Sequence, residues 1–231
     1  DTLSLEGWYE ALFRQPATTR AFMNSLSLSI GAALLLVVLC LPLVWLMERY
    51  PTALGRLFNS LLDLPYALPG VVLAIAMIQL LVKLPYTSYT LYGTIWIIFL
   101  AYLARFFAVM FRPLQSSLKQ LDPAMNEAAQ SVGASLPRRL RDIILPLTAP
   151  SAAAGAILVF LTAFNELTVS ALLWSSGTET LGVVIFNLDD SGEPVMASAV
   201  AMTVVAVVIL LMTVIQLTSR RMPKGIVPWQ N

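Results

Sequence analysis

Two carboxylates stand in apolar surroundings where a negative charge is costly. Glu166 follows Asn165 in AGAILVFLTAFNELTVSALLW, deep in what reads as an apolar helix. An ionised side chain there costs several kcal/mol unless it faces water, protein or a cation. Two roles stay open for Glu166: a pathway or gate residue, or a carboxylate hydrogen-bonded between helices that holds a bundle together. Asp63 opens LLDLPYALPGVVLA, with Pro65 and Pro69 close behind. Prolines four apart remove backbone donors and kink or unwind the inner part of a helix. In a membrane such a break is tolerated where it lines a cavity or packs on protein, so Asp63, Pro65 and Pro69 join Asn165 and Glu166 as candidate pathway residues. Other chemistry is excluded by what is missing. There is no histidine, and the one cysteine, Cys40, lies in an apolar run, which excludes zinc sites, disulfides and thiol or imidazole catalysis. No GxxxxGK[ST] loop is present to cradle a nucleotide. No pair of carboxylates and no Ser/Lys pair recurs at a hydrolytic spacing. No catalytic residue and no metal site is assigned.

A second charged group lies between apolar runs, in DPAMNEAAQSVGASLPRRLRDIILP, residues 122–146. Asp122 can cap a helix that Pro123 begins at no cost in hydrogen bonds. Residues 123–132 then make a rod of roughly 15 Å, thin along Ala128 and Ala129 and carrying the carboxylate of Glu127. Gly133 can take the left-handed conformation that ends the helix. Ser135 can cap a second helix through Arg138, Arg139 and Arg141, which Pro146 closes. The product is a small-faced, charged helical elbow, shaped for insertion into another protein's groove.

The elements that carry these groups follow from composition. Of 231 residues 58% are hydrophobic and only 12% charged, the balance of a membrane protein. Net charge is +1, so bulk charge favours no nucleic-acid partner. A bilayer core needs roughly 20 apolar residues per helix. Five runs meet that need, at about 26–47, 61–82, 94–111, 149–174 and 195–217, and lipid leaves the backbone no choice but helix. The fold class is an all-α, polytopic membrane protein. Of the 14 Lys and Arg residues, only Arg14, Arg20 and Lys83 fall outside if the N-terminus is outside. Arg105 lies within the third run, near its inner end, where it can snorkel. The positive-inside rule therefore places the N-terminus of this chain on the periplasmic side, and the elbow and the 219–231 tail in the cytoplasm.

Residues 1–21 form a lead-in with Leu5, Trp8, Tyr9, Leu12 and Phe13 on one stripe, suited equally to a membrane surface or to a packed linker helix. Residues 175–194 carry four acids and no base around an apolar centre, a loop that dips into the bundle mouth, receives a partner or is simply solvated. The chain opens at Asp1 with no initiator methionine or leader and reads as a piece of a longer polypeptide. An outside N-terminus before five spans implies at least one earlier span.

At the elbow, Glu127-Ala128-Ala129, Gly133, Ile143 and Leu145-Pro146 stand at the spacing of a known motif. That pattern resembles the EAA motif of the permease subunits of binding-protein-dependent ABC importers of the type I fold. The resemblance covers essentially residues 20–220. It implies a five-helix permease core over 22–218, and a coupling helix that docks in a cleft of a separate ATPase subunit. It also implies a periplasmic substrate-binding protein and a second permease half or copy. The chain itself would bind no cofactor, because ATP would be hydrolysed by the partner. Glu166-Leu167-Thr168-Val169-Ser170 through Trp174, then Gly177-Thr178-Glu179-Thr180-Leu181, is similar to the C-terminal half of ferric-iron permeases. Ferric iron is therefore the expected cargo, with 2-aminoethylphosphonate, thiamine or polyamine as alternatives. From the residues alone, an ion-coupled secondary transporter using Glu166 remains a rival.

Overall fold

The computed structural model describes residues 6–10, 14–83 and 89–219, and those residues are helical throughout apart from their connections. The helices in order are α1 (Glu6–Tyr9), α2 (Pro16–Arg49), α3 (Ala53–Leu61), α4 (Leu64–Ala67), α5 (Gly70–Leu81), α6 (Ile95–Lys119), α7 (Pro123–Ser131), α8 (Leu136–Arg139), α9 (Leu145–Phe164), α10 (Ser170–Leu173), α11 (Leu181–Asp190) and α12 (Pro194–Ser219). Among the described residues, four helices are long and apolar enough to cross a membrane, and five when the bent pair α3–α4 and α5 is one span.

The sequence places the first span at 26–47, but α2 already begins at Pro16, whose ring suits the first helical turn. The segment 16–25 is therefore helical and continuous with the first span. Its 34 residues reach about 50 Å at about 1.5 Å per residue, longer than a bilayer core. Of the lead-in stripe, Leu5, Leu12 and Phe13 lie outside the described residues. Trp8 packs against the cluster built by Ala21, Phe164, Leu181, Ala199 and Val200.

The second apolar run does more than kink. The axes of Ala53–Ala67 and Gly70–Leu81 differ by 112°, because Leu68 and Pro69 are both extended (ψ 144° and 135°). The run also starts earlier than 61, since Thr52 caps α3 by accepting from the Gly55 N–H at 3.0 Å. In the third run, α6 continues past 111 to Lys119 and carries Arg112 on its last turns.

The fourth run, expected as one helix over 149–174, ends at Phe164. Asn165 and Glu166 thus sit in a chain break before α10, not inside a helix. At its other end Pro146 does not close the elbow's second helix. Residues 136–164 run on as one helix through a wide i→i+5 turn at Leu140–Ile144. The widened turn separates the ring of Pro146 from the carbonyl it would strike in a regular α-helix, so the helix survives its proline.

The main core lies where α2, α6 and α9 meet, with Leu36, Val44, Ile97, Phe111 and Val159 fully buried. Small residues let these helices approach closely: a Cβ on Gly155 would stand 3.0 Å from the Met110 sulfur. Close backbone approach replaces the hydrophobic effect as the source of cohesion where the solvent is lipid. The opposite faces carry exposed Leu34, Val38, Ile209 and Leu210, apolar as a lipid-facing surface must be.

Candidate functional site

The elbow folds by local rules. The Asp122 carboxylate accepts from the Ala124 N–H at 2.9 Å and starts α7. Gly133, at φ +75°, ends it, and the Ala134 N–H returns to the Ala129 carbonyl at 3.0 Å. An L side chain rarely adopts that φ, whereas glycine does so freely. Ser135 takes the cap position of α8, but its side chain makes no capping bond; Arg138 and Asp142 pair along the helix instead, at 3.6 Å.

The elbow stands off the bundle. Glu127, Ala128 and Gly133 are exposed, Ala129 is half-buried, and Val132 is 84% exposed. Leu136 extends the exposed apolar surface around the bend. Of the remaining motif positions, Ile143 is half-buried while Leu145 and Pro146 are exposed. Inward, the elbow faces a cavity of about 150 Å³ lined by Trp45, Glu48, Leu118, Met125, Ile143 and Leu147. Arg49, at the end of α2, donates to the Gln130 side chain at 3.3 Å. The outward surface of the elbow is apolar and carboxylate-bearing, and nothing among the described residues covers Glu127, Ala128 or Val132.

The other candidate residues separate into two places. Near the elbow end, Asp63 pairs with Arg112, whose Nε donates to Oδ1 at 3.1 Å. Arg112 also donates to the Asn59 side chain at 2.7 Å and to Gln115 at 3.0 Å, and Gln115 donates to Glu48 at 2.8 Å. This network fastens α3 to α6 and α2; Asp63 belongs to a clamp. Pro65 is half-buried at the start of α4, and Pro69 marks the break beyond it. Asn165 is exposed and its side chain donates back to the Leu161 carbonyl at 2.9 Å.

Glu166 is at the second place, with its side chain only 6% exposed. Its carboxylate accepts from the Thr168 hydroxyl at 2.6 Å, the Val169 N–H at 3.0 Å and the Ser170 N–H at 3.4 Å, capping α10 from across the break. Its main-chain carbonyl accepts from the Ser170 hydroxyl at 3.1 Å and from Tyr102 at 3.4 Å. Arg105 faces the same carboxylate, Nε to Oε1 3.7 Å, and donates through Nη1 to the Leu68 carbonyl at 3.3 Å. Arg105 therefore turns inward rather than snorkelling. Gly70 fits against Thr168 so tightly that a Cβ there would stand 1.8 Å from the Thr168 hydroxyl oxygen. The sequence offers Arg105 only as a snorkelling cation, and it does not single out Gly70, Thr168 or Tyr102 as site residues. The signal available was a lone cation at the depth of a lone anion.

At the end away from the elbow, the acidic loop is fastened to α2. Arg20 donates to the Glu179 carboxylate at 3.2 Å, and Asn24 donates to the Gly177 and Glu179 carbonyls at 3.1 and 2.9 Å. The apolar centre of the loop is α11, with Leu181, Val183 and Val184 buried. Burial works against the charge of Glu179, but backbone N–H donors, that of Gly177 first, and the Arg20 guanidinium outweigh it and hold its carboxyl below the ordinary 4.5. A folded value below the unfolded one stabilises the chain above pH 4.5 and is lost as pH falls through the folded value. Thermal unfolding in detergent is expected to show it: acidification below that pH destabilises the wild type, and Glu179→Gln, less stable at neutral pH, loses less on acidification.

A chain whose described residues are helical apart from their connections, with one broken span and an exposed helical elbow between its third and fourth spans, has the fold of an ABC importer permease. It superimposes with a TM-score of 0.76 on a bacterial alginate ABC transporter solved in complex with an alginate pentasaccharide-bound periplasmic protein, at 18% identity over 96% of this chain and 88% of that one. The family described as binding-protein-dependent transport system inner membrane component matches residues 42–224, and the chain belongs to it. It is thus a multi-pass inner membrane component, the non-catalytic part of such a system. It is 32% identical to the Fe(3+)-transport system permease protein FbpB 2 of Haemophilus influenzae, over 80% of this chain but only 36% of that protein. It is 27% identical to the putative 2-aminoethylphosphonate transport system permease protein PhnV of Salmonella typhimurium, over 95% of this chain and 86% of that protein. The chain spans little more than a third of the length of the iron permease it matches.

Proposed function

We propose that this chain is one permease half of an ATP-driven importer. The observation that carries the reading is the elbow: a capped helix, a left-handed glycine and a second helix projecting from the bundle with Glu127, Ala128 and Val132 uncovered. A separate cytoplasmic ATPase binds that surface and hydrolyses the ATP; this chain binds no cofactor. A second permease half, fused or a separate copy, faces this one across the pathway. A periplasmic binding protein delivers cargo to the end opposite the elbow, against the segments 83–92, of which 84–88 lie outside the described residues, and 175–194. The elbow and the C-terminus are cytoplasmic and the N-terminus of this chain periplasmic. Closure of the ATPases draws two elbows together, and the bundles rock between inward-open and outward-open states as rigid bodies.

The cargo we place first is ferric iron, on the 32% identity with FbpB 2. A second reading, 2-aminoethylphosphonate, is favoured by the length match to PhnV, 86% of which is covered. Uptake of labelled iron against labelled phosphonate in vesicles carrying the reconstituted complex separates the two.

Purification in mild detergent is expected to bring down an ATPase. Glu127→Lys inverts a charge at the docking surface, and a mispaired interface charge costs several kcal/mol. That variant is expected to insert normally yet lose at least about tenfold in ATP-dependent uptake; normal uptake would remove the coupling role of the elbow.

A further inference from the structure

We infer that Arg105 is a positioning residue that locks two helix breaks, the one inside the second span and the one that follows the fourth, into one joint, so that the second and fourth spans move as a single part during transport. The inference rests on the permease reading above and adds to it the residue that carries motion from the elbow to the middle of the bundle.

The breaks are the weak points of the bundle. Each leaves peptide groups without intrahelical partners, and lipid offers none. One guanidinium serves both: Nη1 donates to the Leu68 carbonyl at 3.3 Å, while Nε faces Glu166 at 3.7 Å. Because the guanidinium is planar and rigid, two partners on separate edges have their mutual orientation fixed as well as their distance. Glu166 passes the grip on, since the same carboxylate caps α10 through the Val169 and Ser170 N–H groups. Beside this pin Gly70 packs against the Thr168 side chain with room for no more than a hydrogen. Sliding at the contact is blocked by sterics, and separation is opposed by Arg105.

Two routes from the elbow converge on that joint. On one side α6 runs from Arg105 to Lys119, and only residues 120–122 separate it from α7. On the other, the continuous helix 136–164 ends two residues before Glu166. Elbow, α6, joint and α9 thus form a closed frame, and the Arg105–Glu166 contact is the bond that closes it. Arg112, two helical turns from Arg105 on the same face of α6, grips Asn59 and Asp63, so α6 holds the second span both below the break and at it. Without the closing bond, α6 and α9 can each follow the elbow while the breaks part.

The test uses the complete complex with its ATPase. Arg105→Gln is expected to keep ATP hydrolysis and lower uptake per ATP by roughly 5- to 150-fold, the span of a typical coupling free energy. Arg105→Lys should recover part of the loss, because an ammonium can pair with Glu166 but lacks the second edge that holds Leu68. A purely structural Arg105 would lower thermal stability and leave uptake per ATP unchanged, overturning the proposal. In parallel, spin labels at exposed Ile75 on α5 and Leu172 on α10 report the joint directly. The wild type should give one narrow distance, equal in nucleotide-free and ATP-trapped states, which broadens in Arg105→Gln. A distance that shifts on trapping the wild type, or stays narrow in the variant, overturns the proposal. If the wild-type complex shows no ATP-driven uptake, the permease reading fails on its own, and the nucleotide-free distances still decide whether Arg105 locks the joint.

Discussion

Gly70→Ala is expected to destabilise the protein more than any other single added methyl group, through sterics alone. A Cβ at position 70 would lie 1.8 Å from the Thr168 hydroxyl oxygen, 2.6 Å from the Thr168 Cβ and 3.1 Å from its main-chain carbon. The first overlap can be relieved by rotating or removing a hydroxyl, but the second and third cannot. The two breaks must therefore separate, which stretches the Arg105 contacts to Leu68 and Glu166 together. Overpacking in a tight interior costs about 1–3 kcal/mol, and lengthening those polar contacts adds to it. Thermal unfolding of the detergent-solubilised protein should show a lowered midpoint for Gly70→Ala and little folded material for Gly70→Val. Thr168→Ala should rescue Gly70→Ala only partly, because the Cβ overlap remains, while Thr168→Gly should rescue more. An unchanged midpoint for Gly70→Ala would mean that the two breaks do not meet as described. Gly133 is the opposite case: a Cβ there meets nothing within 4 Å, and only its φ of +75° makes a side chain costly, by about 1–2 kcal/mol.

That contrast marks what could be read from the sequence. Asp122, Pro123 and Gly133 act on partners within a few residues, so residue type and spacing were enough to draw α7 and its left-handed stop. The apolar runs were legible as spans because hydropathy is additive along the chain, but their ends were not. α9 stops at Phe164, where Asn165 and Glu166 interrupt the apolar stretch, because the Glu166 carboxylate caps the next short helix, and no average over a window registers that geometry. Pro146 misled in the other direction. A proline reads as a helix stop unless a wide turn precedes it, and nothing in DIILP announces that turn. Arg105 was assigned by a rule for cations near water; its actual partners come from two other spans, and only the crossing of α4, α6 and α9 brings them within reach. The exposed face of the elbow and the Glu127-Ala128-Ala129 pattern were therefore visible early, whereas the joint required three helices in place at once.

Replacing Glu166 with leucine should have the largest effect of any side-chain truncation in the bundle, and a second substitution tells why. Glu166 and Arg105 are 6% and 17% exposed, so removing the carboxylate strands a cation in a poorly hydrated site and frees the N–H groups of Val169 and Ser170. Breaking a buried pair from one side costs about 3–5 kcal/mol. Replacing both partners by apolar residues of similar size is often close to neutral, so Arg105→Met with Glu166→Leu should recover much of the stability lost by Glu166→Leu alone. Recovery will be incomplete: the Leu68 carbonyl and the α10 N–H groups still lack partners, at about 1–3 kcal/mol for each buried polar group left unpaired. If Glu166 serves only to balance Arg105, uptake per ATP should return with stability in the double variant. If the pair holds the second and fourth spans together through the transport cycle, stability returns and uptake per ATP does not, since no apolar contact of Met with Leu can fix Leu68 and α10 in one orientation. Thermal midpoints and uptake per ATP measured on the same preparations distinguish the two outcomes. A double variant as unstable as Glu166→Leu alone would mean that the lost α10 cap outweighs the unpaired charge.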